Sequence, residues 1–317
     1  LFTSSVIAFL CYLRRIFYLI KFYLLSKPGD LIWIEYELFP YLPYFFEALF
    51  LSNKLTIVFD FDDPIYTKYN KSIFLNKKFN KLLNKANVVF ISSKSMRDDV
   101  EKMILNDSNV LINELPTPLD FDNIPKETLS IDKIYYNFLY TKPLTPMVVG
   151  WIGSPTTFKF LKKELLKMLE NTTNKNIIYK IMGAGAHDIS FFQSYKNIYF
   201  YEWSELKQNK FLDSLDVGLM PLDKSVWSTH RDYFKIALYS SRGIPVIAHS
   251  NQAHEYLSKT DINLILSSFK NFDSSISDIN SNSFSDMKIY KSRVYAYNAW
   301  SREAVFKSFI DLLKINN

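Results

Sequence analysis

Three aspartates stand close together at the end of an apolar run, in the segment IVFDFDD. Asp60, Asp62 and Asp63 form the densest group of carboxylates in the chain. Acids this close repel one another when ionised, and the repulsion favours proton uptake, which suits the transfer of a proton from a hydroxyl group. A solvated acidic turn is the alternative use of the same residues. We take all three as candidate catalytic residues, with Asp62 first among them.

A second candidate is the turn in VGWIGSPTT, where a β-prone run leads into glycine and hydroxyl residues. Gly153 permits close approach of a ligand to the backbone. Ser154 and Thr156 add hydroxyl donors beside the amide groups at the start of a helix. Amide and hydroxyl donors together predict a phosphate site; the alternative is a tight turn with a structural role alone.

Two cations follow in HRDYFKIALYSSRGIPVIA. Arg231 and Lys235 are four residues apart, so they share one face of the helix that the pattern predicts around 231–241. Placed near the amides of a helix start, they are suited to bracket a diphosphate and to stabilise the charge on a leaving nucleotide. A solvated helix face is the usual role of such a pair.

Three further residues complete the candidate binding site. Gly183 and Gly185, in IMGAGAHD, allow the chain to turn beside a nucleotide base or ribose, and Trp203 is a candidate lining of the base pocket. Core packing is an equally good reading of Trp203.

The sequence predicts no metal and no other cofactor. His249 and His254 lack a third ligand at suitable spacing. Cys11, the single cysteine, excludes both an internal disulfide and a cysteine zinc cage, which favours a reducing compartment.

The candidates lie where predicted strands end. Apolar β-prone runs alternate with helical patterns, which predicts βαβ units and parallel sheets whose carboxyl-end loops face a ligand. The predicted strands are 31–36, 55–60, 87–92, 109–114, 147–152, 177–182, 198–201, 216–220, 245–248 and 262–266.

Helices are predicted between these strands. They include 71–86 with Phe74 on its buried side, 93–104 and 157–170. The serine- and asparagine-rich stretch 267–286 is predicted to be a loop, and 289–315 one long helix that braces the other domain.

Length and charge set the limits of the functional reading. The 317 residues predict two domains, with a polar, proline-punctuated linker from 116 to 146. The net charge of +6 suits nucleic acid, an anionic membrane face or an anionic small substrate. We find no nucleic-acid-binding motif, so nucleic acid is the weakest of the three.

The amino end, 1–27, is apolar and aromatic but is interrupted by Arg14, Arg15 and Lys21, so it is too short for a span that needs about 20 apolar residues. It is predicted to be an amphipathic helix, either buried in a domain or lying on an anionic membrane surface.

Taken in order, these segments resemble the two-Rossmann-domain (GT-B) glycosyltransferases, in the retaining group related to bacterial capsule and O-antigen sugar transferases. The matching segments are LIWIEYELFP, IVFDFDD, NELPTPLDFD, VGWIGSPTT, YEWSE, LDSLDVGLMPL and FKIALYSSRGIPVIA. The resemblance implies an α/β fold of two Rossmann-like parallel-sheet domains facing a cleft. It implies a partial acceptor-side domain with linker at 1–145, a donor-binding domain at 146–288 and a bracing helix at 289–317.

The resemblance also implies an activity. A sugar would move from a nucleotide-sugar donor to a glycan or lipid-linked glycan acceptor in cell-surface polysaccharide synthesis, with retention and without a metal. Gly153, Ser154, Thr156, Arg231 and Lys235 would hold the donor. The enzyme would be cytoplasmic, at the inner face of the membrane.

Two departures from the family pattern bear on this reading. The paired glutamates of many relatives fall here at His230 and Leu238. Relatives also carry a strand, a glycine turn and a further βα pair before the point where this sequence starts, at Leu1, so we expect a truncated first domain with an uncovered sheet edge. The alternatives are a non-catalytic sugar-nucleotide or glycan-binding protein of the same fold and a sugar-nucleotide epimerase.

Overall fold

The computed structural model describes residues 2–121, 146–174, 176–223, 225–230, 233–280 and 286–314. The chain forms two compact units, Leu1–Pro116 and Thr117–Asn317. Most of the predicted linker, together with Arg231, lies outside the described residues.

Unit 1 is a parallel sheet with one 24-residue helix at its amino end and several shorter helices. Its described strands pair in the order β1-β2-β3-β4, so each strand lies beside the next one in sequence. Its elements are α1 (Phe2–Leu25), β1 (Leu31–Glu35), α2 (Tyr44–Ala48), β2 (Thr56–Phe61), α3 (Lys78–Leu83), β3 (Val88–Ile91), α4 (Lys94–Met103) and β4 (Leu111–Glu114), with a 3-10 helix at Ile65–Tyr69.

The core of unit 1 lies on one face of this sheet. Ile34, Phe59 and Ile91 point into it with Leu82 and Val100 of the helices. The register pairs Glu35 of β1 with Asp60 of β2, so both acids lie on the opposite face. Regular alternation along the strands thus separates the apolar core from the face that carries Glu35 and Asp60, the acidic face.

The first helix, α1, has apolar side chains on two faces, one packed against the core and one exposed. Leu19 and Phe22 pack against the core of unit 1. On the outer side, Leu13 is 46%, Phe17 65% and Leu24 74% exposed. Among the described residues, no helix is long and apolar enough to cross a membrane.

Unit 2 holds the larger sheet. Its strands and helices are β5 (Met147–Ile152), α5 (Pro155–Asn171), β6 (Ile177–Met182), α6 (Ala186–Phe191), β7 (Ile198–Tyr201), α7 (Glu205–Leu212), β8 (Val217–Met220), α8 (Val226–Thr229), α9 (Phe234–Ser240), β9 (Val246–Ala248), α10 (Gln252–Leu257), β10 (Leu264–Leu266), α11 (Phe272–Asn280), α12 (Asp286–Trp300) and α13 (Arg302–Lys314).

The described strands of unit 2 are all parallel, in the order β10-β9-β8-β5-β6-β7. The order runs outward from β5 in both directions, as in a dinucleotide-binding fold. β5 and β8 therefore flank the point at which the strand order reverses. In open α/β sheets, ligands bind beyond the carboxyl ends of the strands at that point.

Three predictions about helices are wrong. The helix expected over 71–86 forms only at α3, and Phe74, expected inside, is 88% exposed. Part of the loop predicted over 267–286 is α11. The single long helix predicted over 289–315 is two helices, α12 and α13, which meet at Ser301, and α12 packs against α9 of its own unit.

Candidate functional site

The glycine turn of unit 2 joins β5 to α5 at the carboxyl end of the sheet. The Gly153 N–H donates to the Met182 carbonyl over 3.1 Å, which extends the β5–β6 pairing into the turn. Ser154 caps α5 in a reciprocal arrangement with Thr157, and Pro155 occupies the first helical position. α5 has 17 residues, so its amino end presents the positive end of a helix dipole at this turn.

The hydroxyl groups predicted to bind phosphate lie on the surface of this turn. Ser154 Oγ and Thr156 Oγ1 are 2.9 Å apart and hydrogen bond to each other, and both residues are exposed. Two hydroxyls and a helix amino end thus lie together at the end of β5, which is a site that favours an anion.

Gly183 closes the neighbouring side of the site. Its φ is +88°, and a Cβ built there would lie 2.0 Å from the Gly153 carbonyl oxygen, so only glycine fits. Trp203 is next to it, with its Cβ 3.8 Å from the same built position. Trp203 is 54% exposed, which argues against a core-packing role. Its indole N–H donates to Gln208 Oε1 over 3.0 Å.

Replacement of Gly183 by alanine is expected to lower the free energy of unfolding by about 2 kcal/mol, because the left-handed backbone and the Gly153 carbonyl both oppose a Cβ. Gly185 is the matched control. It has a φ of −78°, and the nearest atom to a built Cβ is 3.5 Å away, so Gly185→Ala should change stability by less than about 0.5 kcal/mol. Urea denaturation measures the free energy of unfolding of both variants. Equal losses of stability would contradict the requirement for glycine at position 183.

Lys235 of α9 reaches the same turn. Its Nζ lies 4.7 Å from the centroid of the Trp151 ring, a cation–π contact. The Trp151 ring adjoins Gly153, since a Cβ built at Gly153 would lie 2.4 Å from the Trp151 Cζ2 atom. The ammonium group is therefore near the glycine turn. The partner predicted for it, Arg231, lies outside the described residues.

The helix that carries Lys235 is fixed at the reversal point of the sheet. The Tyr239 hydroxyl accepts a hydrogen bond from the Ile152 N–H over 3.2 Å, and the Tyr239 ring lies against Gly218 of β8. Tyr239 is fully buried, so α9 has one position relative to β5 and β8. Leu238 is also buried and packs in the core of unit 2.

The structure adds a carboxylate that the sequence pattern did not single out. Asp223 follows β8 at the carboxyl end of the sheet, and its Oδ1 accepts from the Ser225 N–H and Oγ at 3.1 and 2.5 Å. Partial burial tends to raise the pKa of Asp223, but hydrogen bonds from Ser225 outweigh it and the pKa is lowered. The signal available in the sequence was a carboxylate three residues after the end of an apolar strand.

The two histidines beyond β9 have structural contacts. His249 Nδ1 accepts a hydrogen bond from the Leu222 N–H over 3.0 Å, which links the loop after β8 to the residue that follows β9. His254 is buried, with Nδ1 2.6 Å from the His249 carbonyl oxygen, and burial lowers the pKa of His254 to about 4. Among the described residues, no group of three or more His, Cys, Asp or Glu is placed to hold a metal ion.

The three aspartates of unit 1 have different surroundings. Asp60 lies on the acidic sheet face, where burial raises its pKa to about 6, with Trp33 donating to it and Glu35 nearby. Asp62 is exposed, and the Tyr36 hydroxyl donates to its Oδ1. Asp63 begins the turn into the 3-10 helix, with its carbonyl accepting from the Ile65 N–H at 2.7 Å. A carboxyl with a pKa near 6 exchanges protons readily close to neutral pH.

Comparison of the sequence with protein-family models and with curated proteins finds no match. Solved structures do match. HepE of Anabaena in complex with UDP is 12% identical, with a TM-score of 0.65 over 93% of this chain and 81% of that chain. A glycosyltransferase from Rickettsia africae is 12% identical, with a TM-score of 0.60 over 90% of this chain and 76% of that chain. Trehalose-6-phosphate synthase, studied for glycosyltransfer with retention, is 13% identical, with a TM-score of 0.64 over 96% of this chain and 78% of that chain.

These neighbours define the class of fold. The protein has the GT-B fold, an α/β architecture of two parallel-sheet domains, as the order of the sequence motifs predicted. At 12–13% identity the likeness establishes the fold alone.

Proposed function

We propose that this protein is a glycosyltransferase that moves a sugar from a nucleotide-sugar donor to a hydroxyl of a glycan or lipid-linked glycan in cell-surface polysaccharide synthesis. One observation carries the proposal. The Lys235 ammonium lies beside the Gly153 turn, at the strand-order reversal of the carboxyl-terminal unit of a GT-B fold. A cation, a helix amino end and paired hydroxyls at that position form a diphosphate site.

The donor chemistry follows from these groups. In the proposed complex, the diphosphate lies between the amino end of α5 and Lys235, with Arg231 as a further ligand. Charge that grows on the departing nucleoside diphosphate is then stabilised by fixed donors. We propose that these protein cations replace a divalent metal. Gly183 and Gly185 leave room for the ribose, and the exposed face of Trp203 stacks on the base.

The acceptor chemistry is assigned to unit 1. We propose that Asp62 accepts the proton of the attacking hydroxyl. Asp60 and Asp63 complete the acidic end of β2 that orients the acceptor. Retention at the anomeric carbon is proposed by analogy with the structural neighbour studied for glycosyltransfer with retention.

A direct assay tests this function. Nucleotide sugars are screened for thermal stabilisation, which amounts to about 2.7 kcal/mol for a ligand at 100 times its dissociation constant. Release of nucleoside diphosphate is then measured for the ligands that bind, with and without polysaccharide or lipid-linked acceptors. We expect release only when an acceptor is present. Failure of every nucleotide sugar to stabilise the protein would exclude the proposal.

Leu238 supports one rival. It is buried in the core of unit 2, at the position where the resemblance to the retaining glycosyltransferases implies a glutamate, and an aliphatic side chain there offers a ribose no hydrogen bond. A sugar-nucleotide-binding protein without turnover fits that substitution. Such a protein would be stabilised by nucleotide sugars but would release no nucleoside diphosphate with any acceptor. An epimerase would convert the bound sugar with no acceptor at all.

We further propose that the enzyme acts in the cytoplasm at the inner face of the membrane, bound through α1. The apolar side chains on the outer face of the helix are flanked by Arg14 and Lys21, an arrangement that suits an interface with anionic lipid. The apolar stripe consists of Leu10, Leu13, Phe17, Ile20 and Leu24.

Vesicle sedimentation tests the membrane proposal. The protein is expected to bind vesicles containing anionic lipid, and Phe17→Asp should weaken binding at least ~10-fold, since it removes a large apolar contact and adds a negative charge. Leu105, 69% exposed elsewhere in unit 1, is the control, and Leu105→Asp should bind as the unchanged protein does. No binding to anionic vesicles, or equal loss in both variants, would refute this role of α1.

A further inference from the structure

Tyr36 has an unusual backbone conformation next to the candidate proton acceptor. It follows β1 directly and has a φ of +64°, a value that residues other than glycine rarely adopt. Its hydroxyl donates to Asp62 Oδ1. Such a conformation costs about 1–3 kcal/mol and persists only where the surrounding contacts impose it, and it is frequent at functional positions.

The surroundings of Tyr36 do impose it. Its N–H donates to the Asp60 carbonyl over 3.1 Å, so the residue stays in register beside β2. The next residue, Glu37, points inside, where its carboxylate lies 2.6 Å from Lys78 Nζ and accepts from the Tyr69 hydroxyl at 2.8 Å. The left-handed turn places Glu37 in the interior and the Tyr36 phenol over Asp62.

Asp62 is held from two sides. Ser92 Oγ donates to the Asp62 carbonyl over 2.8 Å, which fixes its backbone from β3. The side chain, in contrast, is exposed, and an exposed carboxylate occupies several rotamers unless a partner selects one. The Tyr36 hydroxyl is such a partner, presented by a backbone that is itself anchored in the interior.

We infer that Tyr36 is a positioning residue for transfer, selecting the carboxylate rotamer in which Asp62 receives the acceptor proton. The inference rests on the proposed role of Asp62. A carboxylate misplaced by about 1 Å costs an enzyme a large factor in rate, so a rigid donor at this position raises turnover without touching the sugar donor.

The test separates turnover from binding. Tyr36→Phe keeps the ring and removes the hydroxyl. The expected result is a fall in kcat of about tenfold, the loss of one hydrogen bond to a charged group, with unchanged affinity for the nucleotide sugar. Tyr41→Phe is the matched control, because Tyr41 is on the same loop and also has a φ of +64°. It should keep the full kcat.

A double-mutant cycle in urea denaturation adds a measurement that needs no activity. If Tyr36 and Asp62 interact, the stability losses of Tyr36→Phe and Asp62→Ala will not add in the double variant. Additive losses, or a Tyr36→Phe enzyme with full kcat, would overturn the inference. If the unchanged protein transfers no sugar, the proposed function fails. In that case a non-additive cycle would still show that Tyr36 and Asp62 are in contact, but the contact would have no role in sugar transfer.

Discussion

Replacement of Lys78 by methionine is expected to lower the free energy of unfolding by about 3–5 kcal/mol, the cost of leaving a buried charge without its partner. Lys78 Nζ lies 2.6 Å from a carboxylate oxygen of Glu37 and 2.6 Å from one of Glu47. It also donates to the Phe39 carbonyl over 2.7 Å. All three charged side chains are at most 2% exposed. Methionine keeps the apolar stem but leaves the buried Glu47 carboxylate without a cation, and it leaves Glu37 with Lys68 alone, 3.3 Å away.

The pH dependence of this loss is a second signature. Burial raises the pKa of Glu47, although its hydrogen bond and charge interaction with Lys78 oppose the shift. A carboxyl with a raised folded-state pKa favours folding at low pH, and that contribution is lost as pH rises through the folded value. Removal of Lys78 strengthens this trend, so the Lys78→Met deficit should be smaller at pH 5 than at pH 8.

Urea denaturation at the two pH values measures both effects. Lys77→Met is the matched control, since Lys77 is adjacent in sequence but exposed, and it should change stability by less than about 0.5 kcal/mol. A deficit in Lys78→Met no larger than in this control, or one that is the same at both pH values, would show that the buried ion group does not support unit 1.

The strands of unit 2 were predictable because most of their residues are β-prone, in the largely buried β5 as well as in the edge strand β7, where Tyr199 and Tyr201 are exposed. The runs at 147–152, 177–182 and 198–201 are continuous and β-prone, and the structure places β5, β6 and β7 at those bounds. Alternation with helical patterns predicted parallel pairing, which the structure confirms. A strand of this kind carries its own signal, since every residue contributes to it.

The helices were harder to predict because their patterns assume a continuous helix. The 71–86 pattern placed Phe74 inside, but α3 begins at Lys78, after a turn in which Ser72 Oγ accepts from the Leu75 N–H at 3.2 Å. The Lys78 side chain then lies in the interior, because it forms ion pairs there with Glu37 and Glu47, which come from distant parts of the chain. Periodicity within one segment cannot reveal an ion group assembled from three segments.

α11 was missed for the opposite reason. Its serines and asparagine are weak helix formers, which favoured a loop. Phe272 and Ile276, one helical turn apart, are buried, and Phe272 lies against Tyr179 of β6. Asp273 accepts from the Thr173 N–H over 2.8 Å, which ties the helix to the end of α5. Tertiary packing thus stabilises a helix that intrinsic propensity does not.

The candidate site was predictable in its parts but not in its assembly. Parallel strands bring their carboxyl ends to one edge, so the sequence could place the Gly153 turn and Gly183 together. The approach of Lys235 to Trp151 depends on the buried Tyr239 hydroxyl under β5 and on the space at Gly218. Those contacts are set by packing across β8, which a local pattern does not encode.

Replacement of Lys235 by alanine is therefore the sharpest test of the donor site. We expect affinity for the nucleotide sugar to fall about 100-fold, the effect of losing a charge-assisted hydrogen bond to phosphate of about 2–3 kcal/mol. Affinity for the nucleoside diphosphate should fall by a similar factor, while the nucleoside alone should bind the variant as it binds the unchanged protein. This pattern follows because Lys235 contacts the diphosphate and Trp203 the base in the proposed complex.

Isothermal titration with the three ligands measures the effect, and Lys163→Ala supplies the matched control. Lys163 is an exposed lysine of α5 in the same unit, so its removal changes net charge equally. If charge alone attracted the ligand, both variants would lose affinity to the same small extent. Added salt would then abolish the difference in affinity between each variant and the unchanged protein. A contact at the Gly153 turn predicts instead a loss confined to Lys235→Ala. Unchanged affinity in that variant would remove the diphosphate from this site, and the proposed transfer with it.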